Sequence, residues 1–297
     1  MRLGAFGLNQ PVPKLREPHA LAILQPWVDV GNVGTLLLSH LESYFGAREL
    51  GKLVRPGNFF DFTRYRPTVY FKEGRREVRI PNSTIRYARR PDGNDLLFLH
   101  LLEPHMLAEV YIDSILRVLK RLRVKTYCLL GSMYDAVPYT RPLLVTGAAS
   151  NLELNSKLEI AKVIPSDYVG PTTIAFLISQ EAPQMGIETL SLIVHLSQYL
   201  MLEDDYRGET RLMDVLCSLY SLPPALAQEN ANKAREQADW YRQVAESAIE
   251  QEPRFKVILE QLEANYDARV EQRKQETRLS PEVERFLQDL GKRFDQN

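Results

Sequence analysis

Asp135 and Arg141 stand six residues apart, across a proline, in the stretch YCLLGSMYDAVPYTRPLLVTGAAS that runs from Tyr127 to Ser150. An acid and an arginine in one loop can do two kinds of work. They can hold a polar ligand, or they can pair and brace the loop. Thr146 and Gly147 close the next apolar run. A hydroxyl beside backbone amides suits a carboxylate or phosphate, and it equally suits a capped turn.

A second candidate lies earlier. In DVGNVG, Asp29, Gly31 and Gly34 precede a helix-forming run. The turn lacks the third glycine of the dinucleotide fingerprint G-x-G-x-x-G. A glycine turn ahead of a helix can still offer backbone N–H groups to an anion, or be only a tight turn. Thr172, in VGPTT, opens another helix, and Gly131 ends the apolar run YCLLG.

Other chemistries find less support. The histidines are His19, His40, His100, His105 and His195, and none falls in an HExxH or Cys/His zinc spacing. No G-x-S-x-G elbow occurs; Ser132 after Gly131 lacks the second glycine. The P-loop pattern is absent too. No metal and no cofactor is expected. Arginines crowd the region from Arg64 to Arg90, which fits either a phosphate-binding face or a solvated hairpin.

The elements that must carry these residues alternate in type. ALAILQPW, DLLFLHLL, YCLLG and ETLSLIVHLS are buried-strand runs. TLLLSHLESYF and HMLAEVYIDSILRVLKRLRV are helical, and TVYFKEGRREVRIP turns back at Glu73-Gly74 as a β-hairpin. Strands alternating with helices predict a mostly parallel sheet covered on both faces. Ligands of such sheets collect beyond the carboxyl ends of the strands. That rule gathers Asp29, Gly31, Gly131, Asp135, Arg141, Thr146, Gly147 and Thr172 as candidate ligand-binding residues.

At Leu222-Pro223-Pro224 the texture turns charged and glycine-poor. Residues 1–222 are expected to form the α/β core, and 223–297 a helical extension packed on it. One tail helix starts at Pro253 with Phe255, Ile258, Leu259, Leu262 and Tyr266 on one face. A last one starts at Ser280-Pro281-Glu282, its buried side being Val283, Phe286, Leu287, Leu290 and Phe294.

The whole has 297 residues, 37 Lys and Arg against 38 Asp and Glu, and a net charge of −1. That balance gives no global field for nucleic acid or an anionic membrane. Apolar runs fall short of the roughly 20 residues a membrane span needs. Cys128 and Cys217 stand in apolar surroundings, as reduced core residues do. A cytoplasmic location is expected.

Taken in order, WVDVGNVG, FFDFTRYRPTVYF, DLLFLHLLEPH, LLGSMYDAVPYTRPLLVTGAAS and DYVGPTTIAFLISQEAPQMGIETLSLIVHLSQYL make the chain resemble the proteasome assembly chaperone 2 family, in its bacterial form. The resemblance covers nearly the whole chain. It implies a three-layer α/β/α sandwich similar to the nucleoside phosphorylase type, assembled into oligomers. Eukaryotic and archaeal relatives look like chaperones for proteasome subunits. Two departures stand out. The chain ends RFDQN where docking relatives end in a hydrophobic–tyrosine–any tail, and Tyr139 replaces the loop histidine of the bacterial pattern P-H-T-R-P. Losing that histidine removes the loop's most obvious acid–base group.

The expected function is therefore non-catalytic: a protein-binding, assembly chaperone-like role with an unidentified protein partner. The alternative is an enzyme similar to nucleoside phosphorylases or hydrolases, acting on a small polar or phosphorylated ligand with Arg141 and Asp135 in the site. Self-association into a dimer or trimer is expected as well. Its candidate interface is Phe60, Phe62, Arg66 and Tyr70, because aromatics mixed with arginine are enriched in interface cores. The same aromatics could instead fill the chain's own core.

Overall fold

The computed structural model describes residues 1–199 and 201–276. Its strands are β1 (Arg2–Leu3), β2 (Phe6–Leu8), β3 (His19–Gln25), β4 (Arg48–Leu53), β5 (Thr68–Lys72), β6 (Arg75–Arg79), β7 (Thr84–Ala88), β8 (Leu96–Leu102), β9 (Thr126–Asp135), β10 (Val145–Ala149), β11 (Ile164–Pro165) and β12 (Glu188–Ser197). The helices are α1 (Val33–Tyr44), α2 (Ala108–Arg121), α3 (Leu152–Ile160), α4 (Ile174–Glu181), α5 (Tyr206–Tyr220), α6 (Ala225–Glu229), α7 (Ala231–Gln251) and α8 (Arg254–Glu276).

Ten strands form one sheet in the order β1-β2-β4-β7-β8-β3-β9-β12-β10-β11. At its centre β8, β3, β9 and β12 run parallel, and the apolar runs in the sequence are these four strands. The expectation of a mostly parallel sheet needs correction, because the sheet is mixed. The pairs β1–β2, β2–β4, β4–β7, β7–β8 and β10–β12 are antiparallel. At β7–β8 the reason is connection length. A parallel pair needs a crossover of a dozen or more residues, usually a helix, whereas only residues 89–95 join β7 to β8.

Period two sorts the central side chains between two cores. On β3, Ala20, Ala22 and Leu24 join one apolar cluster with Tyr111 and Ile115 of α2 and Ile178 of α4. Leu21 and Ile23 join the other, with Leu37 of α1, Leu154 of α3 and Leu212 of α5. Strand β9 divides the same way, Tyr127 and Leu129 against Cys128 and Leu130. Both faces are thus covered and the architecture has three layers.

The hairpin forms as its alternation predicts, with Val69 opposite Val78 and Tyr70 opposite Glu77. Its turn needs two left-handed residues, Glu73 (φ 50°) and Gly74 (φ 75°). The aromatic interface reading needs correcting at Phe60, which is 1% exposed and packs its ring against Tyr65 and Tyr111. Phe62 is half-buried against the same core. Arg66 is exposed, and half-buried Tyr70 donates its hydroxyl to Glu77 Oε2 at 2.6 Å. What the hairpin does present outward is Val69, Phe71 and Val78.

In the tail, α7 lies on α5: Tyr241 is buried, and Gln237 Oε1 accepts from Tyr206 N at 2.8 Å. Helix α8 begins where Pro253 predicts, but Phe255 and Ile258 are 46% and 51% exposed, so its apolar face is only partly covered. The last helix predicted from Ser280 lies outside the described residues. Among those described, no helix is long and apolar enough to cross a membrane.

Candidate functional site

Four parallel strands bring the segments that follow them to one end of the sheet: Asp29 after β3, Glu103 after β8, the Asp135–Pro142 loop after β9, and Asp205 after β12. Three of these acids turn back onto helix N-termini. Asp29 Oδ1 accepts from Gly34 N at 2.7 Å and Thr35 N at 3.3 Å, while Oδ2 accepts from the Thr35 hydroxyl at 2.5 Å. Glu103 accepts from Ile174 N through both oxygens, at 3.2 and 3.3 Å. Asp205 Oδ1 accepts from Gly208 N at 2.8 Å. Unpaired amides and the helix dipole make a helix N-terminus attractive to anions. At α1, α4 and α5 the anion is the chain's own. Burial raises the pKa of Asp29 and of Glu103 above the ordinary carboxylate value, against those hydrogen bonds.

The DVGNVG turn thus presents its amides inward, to Asp29. Gly31 has φ 60°, and its carbonyl accepts from Asp205 N at 2.8 Å. A Cβ there would come within 2.9 Å of the Asp205 Cβ, so the glycine permits a close approach between the two segments. Gly131 does the same for β9, where a Cβ would meet the Val28 carbonyl oxygen at 2.6 Å. At Gly147 it would collide with the Ser191 carbonyl oxygen. Ser132 donates its hydroxyl to Val30 O at 2.6 Å. Thr172 is exposed just ahead of α4.

Asp135 does not bond Arg141. Its Oδ2 lies 2.7 Å from His195 Nδ1, and His195 Nε2 lies 2.8 Å from Thr146 Oγ1. An ionised carboxylate can only accept, so Nδ1 carries a proton; in that tautomer of the neutral imidazole, Nε2 can accept the Thr146 hydroxyl. This is a hydroxyl–imidazole–carboxylate row laid across β10, β12 and β9. Thr146 and His195 are 6% and 4% exposed, so the hydroxyl is presented to the ring inside the sheet. The His195 bond, followed by those of Arg269 and Ala136 N, holds the Asp135 carboxyl well below the usual carboxylate range against the opposing effect of burial.

Helix α8 takes the rest of the loop. Arg141 makes a two-pronged contact with Asp267, Nε to Oδ1 at 3.0 Å and Nη2 to Oδ2 at 2.8 Å, and its Nη1 lies 3.4 Å from Glu263 Oε1. Thr140 donates its hydroxyl to Glu263. Tyr266 donates to Pro142 O at 2.8 Å, and Arg269 Nη1 donates to Asp135 Oδ2 at 2.8 Å. The contact to Asp267 raises the Arg141 pKa and lowers that of Asp267.

The structure therefore brings Asp135 and Thr146 into one hydrogen-bonded row, and sends Arg141 to the tail. Glu103, His195, Glu263, Asp267 and Arg269 were not anticipated as partners. His195 carried a usable signal, a polar residue among the apolar positions of ETLSLIVHLS. Among the described residues, no group of three or more His, Cys, Asp or Glu could hold a metal ion. Both cysteines are free, and burial pushes the Cys217 thiol up to about 11.

Solved structures share this architecture. A Mycobacterium tuberculosis protein of unknown function superposes with a TM-score of 0.75 at 24% identity, over 92% of this chain and 92% of that one. A PAC2 family protein from Streptomyces avermitilis does so at 0.71 and 23% identity, over 79% of this chain and 98% of its own. A second M. tuberculosis protein, described as a proteasome-assembly chaperone homologue, reaches 0.66 at 22% identity, over 77% and 94%. No curated protein matches the sequence. The PAC2 family model matches residues 23–245, from inside β3 to inside α7. The chain belongs to the PAC2 family.

Proposed function

We propose that this protein is a non-catalytic, chaperone-like assembly factor of the cytoplasm that binds a protein partner and self-associates. One observation carries the reading. The helix N-termini of α1, α4 and α5 hold the chain's own carboxylates, Asp29, Glu103 and Asp205, where a phosphate or carboxylate substrate would otherwise sit. The likeness to a proteasome-assembly chaperone homologue supports the same direction. Crosslinking the full chain in its native cytosol, with mass-spectrometric mapping, tests it. The expected result is crosslinks to one defined protein, and an absence of protein crosslinks would overturn it.

The Thr146–His195–Asp135 row favours a second reading, an enzyme similar to nucleoside phosphorylases or hydrolases. There the ring would take the Thr146 proton and Asp135 would steady the resulting charge. A thermal-shift screen with nucleosides and phosphate separates the readings, since a ligand of the folded state raises the melting point.

A further inference from the structure

The loop after β9 is occupied by α8, and its occupant displays what the surface recognises. Glu263, Tyr266 and Asp267 stand at positions i, i+3 and i+4 of α8, hence on one face. That face meets Thr140, Arg141 and Pro142. The recognition pattern is an acidic pair spaced by one turn, with a hydroxyl-bearing aromatic between the acids.

The occupant fits imperfectly. A cavity of about 400 Å³ remains between Tyr139 and Tyr199 at the loop and Val244, Ile249 and Leu262 of the two helices. Its wall is largely apolar. At the same end of α8, Phe255, Val257 and Ile258 are 46%, 63% and 51% exposed. Helix α8 is thus held mainly by polar contacts at the surface, which contribute little each and weaken with salt. Two residues, Glu252 and Pro253, join it to α7, and Glu252 is extended (φ −140°, ψ 99°).

We infer that the Tyr139–Pro142 loop is a docking surface for an acidic amphipathic helix of a partner protein, and that α8 occupies it until that helix displaces it. The partner helix would present two acids one turn apart to Arg141 and Thr140, and a larger apolar residue to the cavity beside Tyr139 and Tyr199. This deepens the proposed function and rests on the protein-binding reading. The charge complementarity that α8 satisfies in place is the reason for assigning an acidic helix.

The test uses the full chain and, as the probe, a fluorescent peptide of residues 253–271, in which Glu263 and Asp267 are the acids that meet the loop. In a release variant, Glu263→Ala with Tyr266→Phe and Asp267→Ala, α8 loses its bonds to Thr140, Arg141 and Pro142. Fluorescence anisotropy should show this variant binding the peptide at least tenfold more tightly than the wild type. Adding Arg141→Glu, an exchange at the solvent-facing loop, should remove that gain. Equal binding by wild type and release variant would overturn the inference, as would equal binding of a peptide with Glu263 and Asp267 changed to lysine. If light scattering shows the release variant dimerising by exchange of α8, the surface belongs to a second copy, and the partner assignment is likewise overturned. Failure of the peptide to dock leaves the crosslinking test of the protein-binding reading unaffected, so the two can fail separately.

Discussion

His195 Nδ1 and Arg269 Nη1 both donate to the same oxygen of Asp135, at 2.7 and 2.8 Å, so one carboxylate ties β9 to β12 and to the tail. The Asp135 pKa is depressed in the fold, chiefly by the His195 bond. Its stabilisation is therefore complete above the unfolded value of about 3.9 and is lost as pH falls through the lower folded value. Urea melts between pH 5 and pH 2 should show a steep loss in the wild type and a shallower one in Asp135→Asn.

The neutral-pH cost of losing that carboxylate is a separate expectation. Asp135→Ala leaves the buried His195 N–H without its acceptor, at a cost of about 1–3 kcal/mol. Chemical denaturation at pH 7 checks it. Arg269→Ala, which removes only the partner from the tail, should cost less because that side chain is more exposed than His195.

His40 makes the opposite prediction. Burial lowers its pKa, but hydrogen bonds to Glu209 (2.8 Å) and Glu229 (2.7 Å) outweigh that and raise it above the ordinary value. Its contribution is then complete below the unfolded value of about 6.5 and fades as pH rises through the higher folded one. The link from α1 to α5 and α6 should loosen accordingly. Stability should fall from pH 6 to pH 8.5 by more in the wild type than in His40→Gln.

Gly131 offers a steric check on the loop's origin. Its missing Cβ would press on the Val28 carbonyl oxygen at 2.6 Å, a backbone atom that cannot swing aside as a side chain can. Gly131→Ala should cost about 1–3 kcal/mol by overpacking. A melting point equal to the wild type's would contradict the close approach.

These residues also mark what could be read from the chain. The central strands were legible because runs such as ALAILQ carry apolar residues on both faces. The β5–β6 hairpin announced itself through alternation and Glu73-Gly74. The antiparallel flank did not. RELGKL has charges on three of its six positions, and its place beside β7 is set by pairing across the chain, not by its own pattern. Asp135 and Arg141 were legible as polar groups in an apolar setting. Their partners were not, since His195 lies 60 residues away and Asp267 lies 126 away. The aromatics of FFDF gave the right composition for two destinations, and Phe60 went to the core under α2.

The proposed self-association has an exposed apolar candidate on the other face of the hairpin. Val69, Phe71 and Val78 are 56%, 70% and 57% exposed on a two-stranded ribbon, a structure of marginal stability alone. In the proposed self-association a second copy would cover them. Phe71→Glu with Val78→Lys should shift the protein to monomer in light scattering without lowering its melting point. A wild type already monomeric at micromolar concentration would end that idea.

The carboxyl end of the sheet is closed by the chain's own groups, Asp29, Glu103 and Asp205 at the helix N-termini and His195 behind Asp135. The most direct measurement is turnover: the full chain incubated with nucleosides and phosphate, with products followed by chromatography. No product is expected above the protein-free control, in the wild type and in His195→Asn alike. Product formed by the wild type and abolished in His195→Asn would contradict it.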